Sequence, residues 1–341
     1  MSRILILFTG GTIASVKTEN GLEPLLTAGQ ILSYLPDLGE KIALDTLQIC
    51  NLDSTDMDSR YWLKLVSAIE ENYQKYDGFV ICHGTDTMAY TAAALSYLIQ
   101  HSSKPIVMTG SQQPISQEIT DAKRNLRDSI LYAADGQSQG VCLLFDGRVI
   151  AGTRAKKTHT FSNQAFSSIN FPTLAVIQHG SIVRYIQPEP CGQPVQFYHC
   201  VNPDIYTLKL TPGVRPAVLR AVFEVYDCII VESFGVGGLP HSILEPFCQL
   251  MQEYGSEKIV VMTTQVTYEG SSIFTYQVGQ RIRERFPCLE ALDMNFEAVL
   301  TKMMWILGQG KGRFQEVEEL FYKRVNYDIM MEKKEYGFLM K

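Results

Sequence analysis

Several short stretches combine hydroxyl, carboxylate, amide or amine side chains with glycine or with a predicted helix start. Thr9-Gly10-Gly11-Thr12 offers hydroxyls beside two glycines, and His83-Gly84-Thr85-Asp86-Thr87 adds a carboxylate. Thr109-Gly110-Ser111-Gln112 repeats the hydroxyl–glycine theme, and Arg154-Ala155-Lys156-Lys157 is a compact cationic run. Glycine lets a chain turn sharply and lets a ligand approach main-chain N–H groups. A hydroxyl next to a base becomes a nucleophile, and main-chain N–H groups stabilise the oxyanion that such an attack creates. A lysine crowded by other cations can serve as a base. Each stretch also has a plainer reading. Gly-Gly-Thr makes a tight turn and lacks the spacing of a phosphate loop. Thr85 or Asp86 suits a helix N-cap, where an ionised carboxylate is favoured by the helix dipole. Asp53-Ser54-Thr55-Asp56 suits Asx turns or a polar cradle for a small zwitterion. A cationic run is commonly a solvated face. His83, ending an apolar run, reads as a hydrogen-bonded buried histidine rather than a base.

These stretches need a scaffold that brings them together. Ile4–Phe8, Gly78–Cys82, Pro105–Met108 and Val141–Phe145 are short apolar runs of the kind that form buried strands. Between them, Asp58–Tyr76 places Trp62, Leu65, Val66, Ile69 and Tyr73 at helical spacing, with Asp58 or Ser59 able to cap it; Thr87–Gln100 and Thr120–Asp135 read similarly. Alternating strands and helices predict an α/β fold with a parallel sheet covered on both faces. In such a sheet, ligands bind beyond the carboxyl ends of the strands, where three of the stretches above begin. Prolines 188, 190, 194, 203, 212 and 216 then predict a linker. Strands at Cys228–Val231 and Lys258–Met262, with helices at Pro240–Tyr254 and Asn295–Leu307, predict a second α/β unit. The expected organisation is an N-terminal domain over 1–190, a linker over 191–213 and a smaller domain over 214–341, with Met331–Lys341 frayed.

Composition narrows the class. The chain has 341 residues, 46% of them hydrophobic and 19% charged, enough for a large core without disulfide or metal staples. A net charge of −6 argues against nucleic acid or an anionic membrane as main partner. The eight cysteines form no CxxC pair and the six histidines are scattered, so no metal site or cofactor is expected. Five apolar residues after Arg3 are too few for an export signal, and no run reaches membrane-spanning length. A cytoplasmic, soluble protein is expected.

Taken in order, TGGTIAS (Thr9–Ser15), DSTDM (Asp53–Met57), YDGFVICHGTDTMAYTAAALS (Tyr76–Ser96), KPIVMTGSQ (Lys104–Gln112), FDGRVIAGTRAKK (Phe145–Lys157) and ESFGVGG (Glu232–Gly238) resemble the bacterial-type L-asparaginases, in their cytoplasmic type I branch. The resemblance runs from residue 4 to about 310. It implies a larger flavodoxin-like N-terminal domain with a smaller C-terminal α/β domain, and hydrolysis of L-asparagine to L-aspartate and ammonia. It implies Thr12 as the nucleophile that forms an acyl-enzyme, with Thr85, Asp86 and Lys157 as a second catalytic group. There Lys157 draws the proton from Thr85, and Asp86 orients Lys157 and binds the substrate ammonium. Ser54, flanked by Asp53 and Thr55, would hold the substrate carboxylate. Gly11 and Gly84 would open the way to the N–H groups of Thr12 and Thr85. A homotetramer of two close dimers is also implied, each site completed by a neighbouring chain. Other readings on this scaffold are a broader glutaminase-asparaginase, the ammonia-generating subunit of a tRNA-dependent amidotransferase, and a non-catalytic sensor of asparagine or aspartate. The amidotransferase subunit normally has an extra N-terminal domain, for which a nucleophile at residue 12 leaves no expected room.

Two departures stand out. The exported relatives carry a tyrosine in the loop following the nucleophile, where this chain reads Glu19-Asn20-Gly21-Leu22-Glu23-Pro24. Tyr276, reaching a neighbouring subunit's site, is the candidate base for Thr12; the alternative is a packed aromatic. The cooperative type I enzyme carries a small hydroxyl residue before its lysine and a cysteine after Thr-Gln. This chain has Lys156 and Val266 there, so weak or absent cooperativity is expected.

Overall fold

The structure is a computed structural model and describes residues 1–331 except 20, 37, 190–191, 256–257, 274–281, 283–284 and 311. Tyr276 and most of Met331–Lys341 therefore lie outside the described residues. The chain divides into two compact units, Met1–His199 and Cys200–Lys341.

The first unit is built on eight strands: β1 (Ser2–Gly10), β2 (Ile42–Leu52), β3 (Gly78–Cys82), β4 (Pro105–Thr109), β5 (Gly140–Phe145), β6 (Arg148–Ala151), β7 (Ala175–Gln178) and β8 (Ser181–Arg184). Their order across the sheet is β8-β7-β6-β5-β4-β3-β1-β2. From β2 to β5 every pairing is parallel, in the flavodoxin-like order 2-1-3-4-5. The far edge is an antiparallel extension, with tight hairpins between β5 and β6 and between β7 and β8, while residues 152–174 lie between β6 and β7. Ile4 to Phe8 are buried on both faces because helices cover both sides. Helix Ala122–Ala134 lays Leu126 and Ile130 against Ile4, Ile6, Val80 and Val107. Helices Ser59–Asn72 and Met88–Leu98 pack on each other, with Trp62, Leu65 and Ile69 buried. Asp58 caps the first of these by accepting from the Arg60 N–H at 2.9 Å.

The second unit carries four parallel strands in chain order: β9 (Ile205–Lys209), β10 (Cys228–Ser233), β11 (Ile259–Thr264) and β12 (Leu289–Glu290). Helices His241–Tyr254 and Phe296–Gly308 fall on the stretches read as helices, Pro240–Tyr254 and Asn295–Leu307. β9 falls inside the stretch read as a linker. Pro203 and Pro212 bracket this strand rather than interrupt it, so the proline count conceals an edge strand paired with β10.

β2 also escapes the pattern reading. It is an edge strand of which Thr46, Leu47 and Gln48 are exposed, so it shows neither a continuous apolar run nor clean alternation.

Candidate active site

The order of strands around β1 reverses, with β2 on one side and β3 on the other, and the loops leaving these three strands meet. A bulge displaces β1 between Phe8 and Gly10, where the register jumps from Gln48 to Leu52. Gly11 follows with φ +78°, and a Cβ there would sit 2.4 Å from Gly84 Cα. A Cβ on Gly84 would sit 2.7 Å from the Ser54 hydroxyl. Only glycine at both positions lets the backbones after β1 and β3 touch and Ser54 close over them. Gly11 and Gly84 are thus fixed by this mutual contact, whatever else approaches them.

Thr12, half-buried, opens the 3₁₀ turn Thr12–Ala14, which the strand Gly21–Pro24 packs against. Its hydroxyl has no hydrogen-bond partner among the described residues. The same holds for the main-chain N–H groups of Thr12 and Thr85, although Thr85 is buried. Both N–H groups lie on loops that leave strand ends, the place where an open parallel sheet meets its ligands.

Lys157 ends the strand Ala155–Lys157, which pairs with Phe166–Ser168. Its ammonium donates to Asp86 Oδ1 at 2.6 Å and to Thr85 Oγ1 at 2.9 Å. The lysine side chain is only 18% exposed and the aspartate 55%, so one carboxylate oxygen faces outward while the other is tied to Lys157. Neither Thr85 nor Asp86 caps the following helix. Thr87 holds the cap position, and its hydroxyl donates to the Ser54 carbonyl at 2.7 Å. Freed from capping, Asp86 and Thr85 turn to Lys157.

Ser54 is buried and accepts from the Asp86 N–H at 3.2 Å, bracing the loop that carries the carboxylate. Asp53 caps the short turn Ser54–Asp56, accepting the Thr55 N–H and hydroxyl, each at 2.8 Å. Asp53 and Thr55 are exposed and satisfy each other, the Asx turn that their types allow.

Further residues brace this group from behind. Thr85 donates to Gln112 Oε1 at 3.3 Å, and the Gln112 amide nitrogen donates to the Thr160 and Ser162 carbonyls at 2.9 and 3.2 Å. Asp121 accepts the N–H groups of Gln112 and Gln113 at 2.9 and 3.0 Å, while burial pushes its carboxyl above the usual range. Asn125 donates to the Gly110 carbonyl at 3.0 Å. The Thr109–Gln112 loop was visible as a strand end, but the reach of Gln112 to Thr85 was not. His83 is fully buried and hydrogen-bonded, and burial pushes its imidazole down to about 4. It is neutral at physiological pH, in keeping with its reading as a structural histidine.

Residues 3–190 match the family described as Asparaginase, N-terminal, and residues 204–321 match the Glutaminase/Asparaginase C-terminal domain. The L-asparaginase of Thermococcus kodakarensis is 39% identical over 332 residues, covering 96% of this chain and 99% of that protein. L-asparaginase 1 of Escherichia coli K12 is 32% identical over 317 residues, covering 90% of this chain and 92% of its own length. The solved structure of the thermostable L-asparaginase from Thermococcus kodakarensis superposes with a TM-score of 0.90 at 37% identity, covering 97% of this chain and all of that one. With both domain types in succession and relatives aligned along nearly their whole length, the chain belongs to the asparaginase family.

Proposed function

We propose that this protein is an L-asparagine amidohydrolase that forms a threonine acyl-enzyme. The observation that carries the reading is Lys157 held between Thr85 and Asp86, next to two orphan N–H groups and an unpartnered Thr12 hydroxyl. Thr12 attacks the side-chain amide carbon, and the N–H groups of Thr12 and Thr85 receive the oxyanion. Collapse of the tetrahedral intermediate expels ammonia, which leaves with an added proton, and leaves an ester on Thr12. Water then attacks the ester and releases aspartate. Lys157 and Thr85 carry protons between the reacting atoms. The outward oxygen of Asp86 binds the substrate ammonium, and Ser54, with Asp53 and Thr55, holds its carboxylate. Tyr276, supplied by a neighbouring subunit, is the proposed base for Thr12. The proposed assembly is a homotetramer of two dimers in the cytoplasm, with little cooperativity toward asparagine given Lys156 and Val266. Among the described residues no helix is long and apolar enough to cross a membrane.

The test is ammonia release by the purified protein from L-asparagine and L-glutamine. Release from asparagine along a hyperbolic rate curve is expected. Comparable release from glutamine would make it the broader glutaminase-asparaginase, since one methylene is worth only about 1–3 kcal/mol in a pocket. Binding of asparagine without release of ammonia would make it a sensor. Replacing Tyr276 by Phe with unchanged turnover would remove that residue from the mechanism.

A further inference from the structure

Behind the Thr85 loop runs a chain of hydrogen bonds with a single polarity. The indole N–H of Trp62 donates to Thr91 Oγ1 at 3.0 Å, and Thr91 Oγ1 lies 3.0 Å from His83 Nε2. On the other side of the ring, His83 Nδ1 lies 2.7 Å from the Gly84 carbonyl oxygen. A carbonyl only accepts, so Nδ1 carries a proton. Burial keeps the imidazole neutral, with a single N–H, so Nε2 is bare and accepts from Thr91. An indole only donates, so Thr91 takes that bond on a lone pair and spends its one proton on His83. Every group in the chain is satisfied in one arrangement, and all lie in the buried interior.

The end of this chain is the peptide that joins Gly84 to Thr85. In a planar trans peptide the C=O and N–H point in opposite directions. Holding the Gly84 carbonyl toward His83 therefore turns the Thr85 N–H away from the wire, and that N–H has no partner among the described residues. Gly84 itself is packed closely, with Gly11 Cα and the Ser54 side chain against the position a Cβ would take.

We propose that His83 is a positioning residue: fixed in its Nδ1–H tautomer by Trp62 and Thr91, it locks the Gly84–Thr85 peptide so that the Thr85 N–H is presented to the oxyanion. The proposal rests on the amidohydrolase reading above. His83 itself never meets the substrate, and its contribution falls on the transition state. Its loss therefore lowers kcat and leaves KM nearly unchanged.

The experiment pairs steady-state kinetics on L-asparagine with ¹⁵N-histidine NMR of the full-length protein. In the wild type, the spectrum is expected to show a protonated Nδ1 and a bare Nε2 for His83 at neutral pH. His83→Leu is expected to lower kcat about tenfold, less than the loss of an oxyanion donor outright, with KM within about twofold. His83→Asn, whose amide can donate from near the Nδ1 position, should recover most of kcat. Thr91→Val, which strips the donor from Nε2, should mix the tautomers in the spectrum and lower kcat several-fold. It also decides the matter if His83→Leu fails to fold. Wild-type kcat in either His83→Leu or Thr91→Val overturns the proposal, as does a wild-type spectrum with the proton on Nε2. A wild type that releases no ammonia sinks the amidohydrolase reading instead, a result the same assay separates at its first step.

Discussion

Lys157 donates to two acceptors at once, and the identity of those acceptors decides what it can do. Asp86 takes one of its hydrogen bonds and the Thr85 hydroxyl the other, the pair through which the proposed mechanism moves a proton. A methionine at this position keeps the length and apolar body of the side chain but removes the proton carrier. Lys157→Met is expected to lower kcat for asparagine by at least about 10²-fold, the usual span of general acid–base assistance, while the protein stays folded. Activity within a few-fold of wild type, with native circular dichroism, would remove Lys157 from the chemistry. At this scale the sequence was legible where chemistry sits on contiguous residues. Thr85 and Asp86 are neighbours at a strand end, and the cationic run ending at Lys157 stood out, although 71 residues separate it from Asp86. Gln112 and Asp121 were not legible. Asp121 occupies a helix N-cap position, yet its carboxylate accepts from N–H groups of the preceding loop and from the Asn125 amide rather than from the first N–H groups of that helix. Spacing along one helix carries no trace of the bonds to the loop.

Among the elements, the three loops after β1, β2 and β3 act as one unit, and the glycines at their contact set its tolerance. Gly11→Ala combines a positive φ with a 2.4 Å approach to the Gly84 backbone. It is expected to cost at least about 1–3 kcal/mol in urea unfolding and to abolish most turnover, because Thr12 follows directly. Gly29 provides the contrast. It lies in helix Ala28–Leu32 with open space around its Cβ position, so Gly29→Ala should leave turnover intact and stabilise by up to about 1 kcal/mol. Equal effects from the two substitutions would mean the loop contact does not matter. The buried strands were legible because helices on both faces make them continuously apolar. The edge strands β2 and β8 were not, since an edge strand with one exposed face shares its composition with loops, and β6, with only three buried residues after Arg148, is too short a run to stand out. β9 was masked by the prolines that flank it.

For the molecule as a whole, the two units differ in what holds them. The second contains Glu290, whose carboxylate accepts from the Ser271 hydroxyl and from the Ile273 N–H at 3.0 Å. Burial pushes this carboxyl from its ordinary 4.5 up to about 7. Below pH 4.5 the folded and unfolded chains both hold the proton, and the site is neutral toward folding. Between pH 4.5 and 7 only the folded chain keeps it, so stability falls as pH rises, by about 3 kcal/mol at most. Glu290→Gln removes the titration. Its unfolding free energy should exceed that of wild type at pH 8, and the gap should narrow at pH 5. An identical gap at both pH values would place the titration elsewhere. The acidic net charge says nothing of this, since one buried carboxyl outweighs many solvated ones. It bears on solubility alone. Fold class was legible from alternating strands and helices, and the switch point at β1 then puts Thr12 and Thr85 on touching loops. Their meeting is the central claim, and it is tested most directly by ammonia release from L-asparagine by Thr12→Ala beside the wild type. A loss of at least about 10³-fold in kcat, with aspartate still bound, is the predicted result. Wild-type turnover in Thr12→Ala would contradict the account.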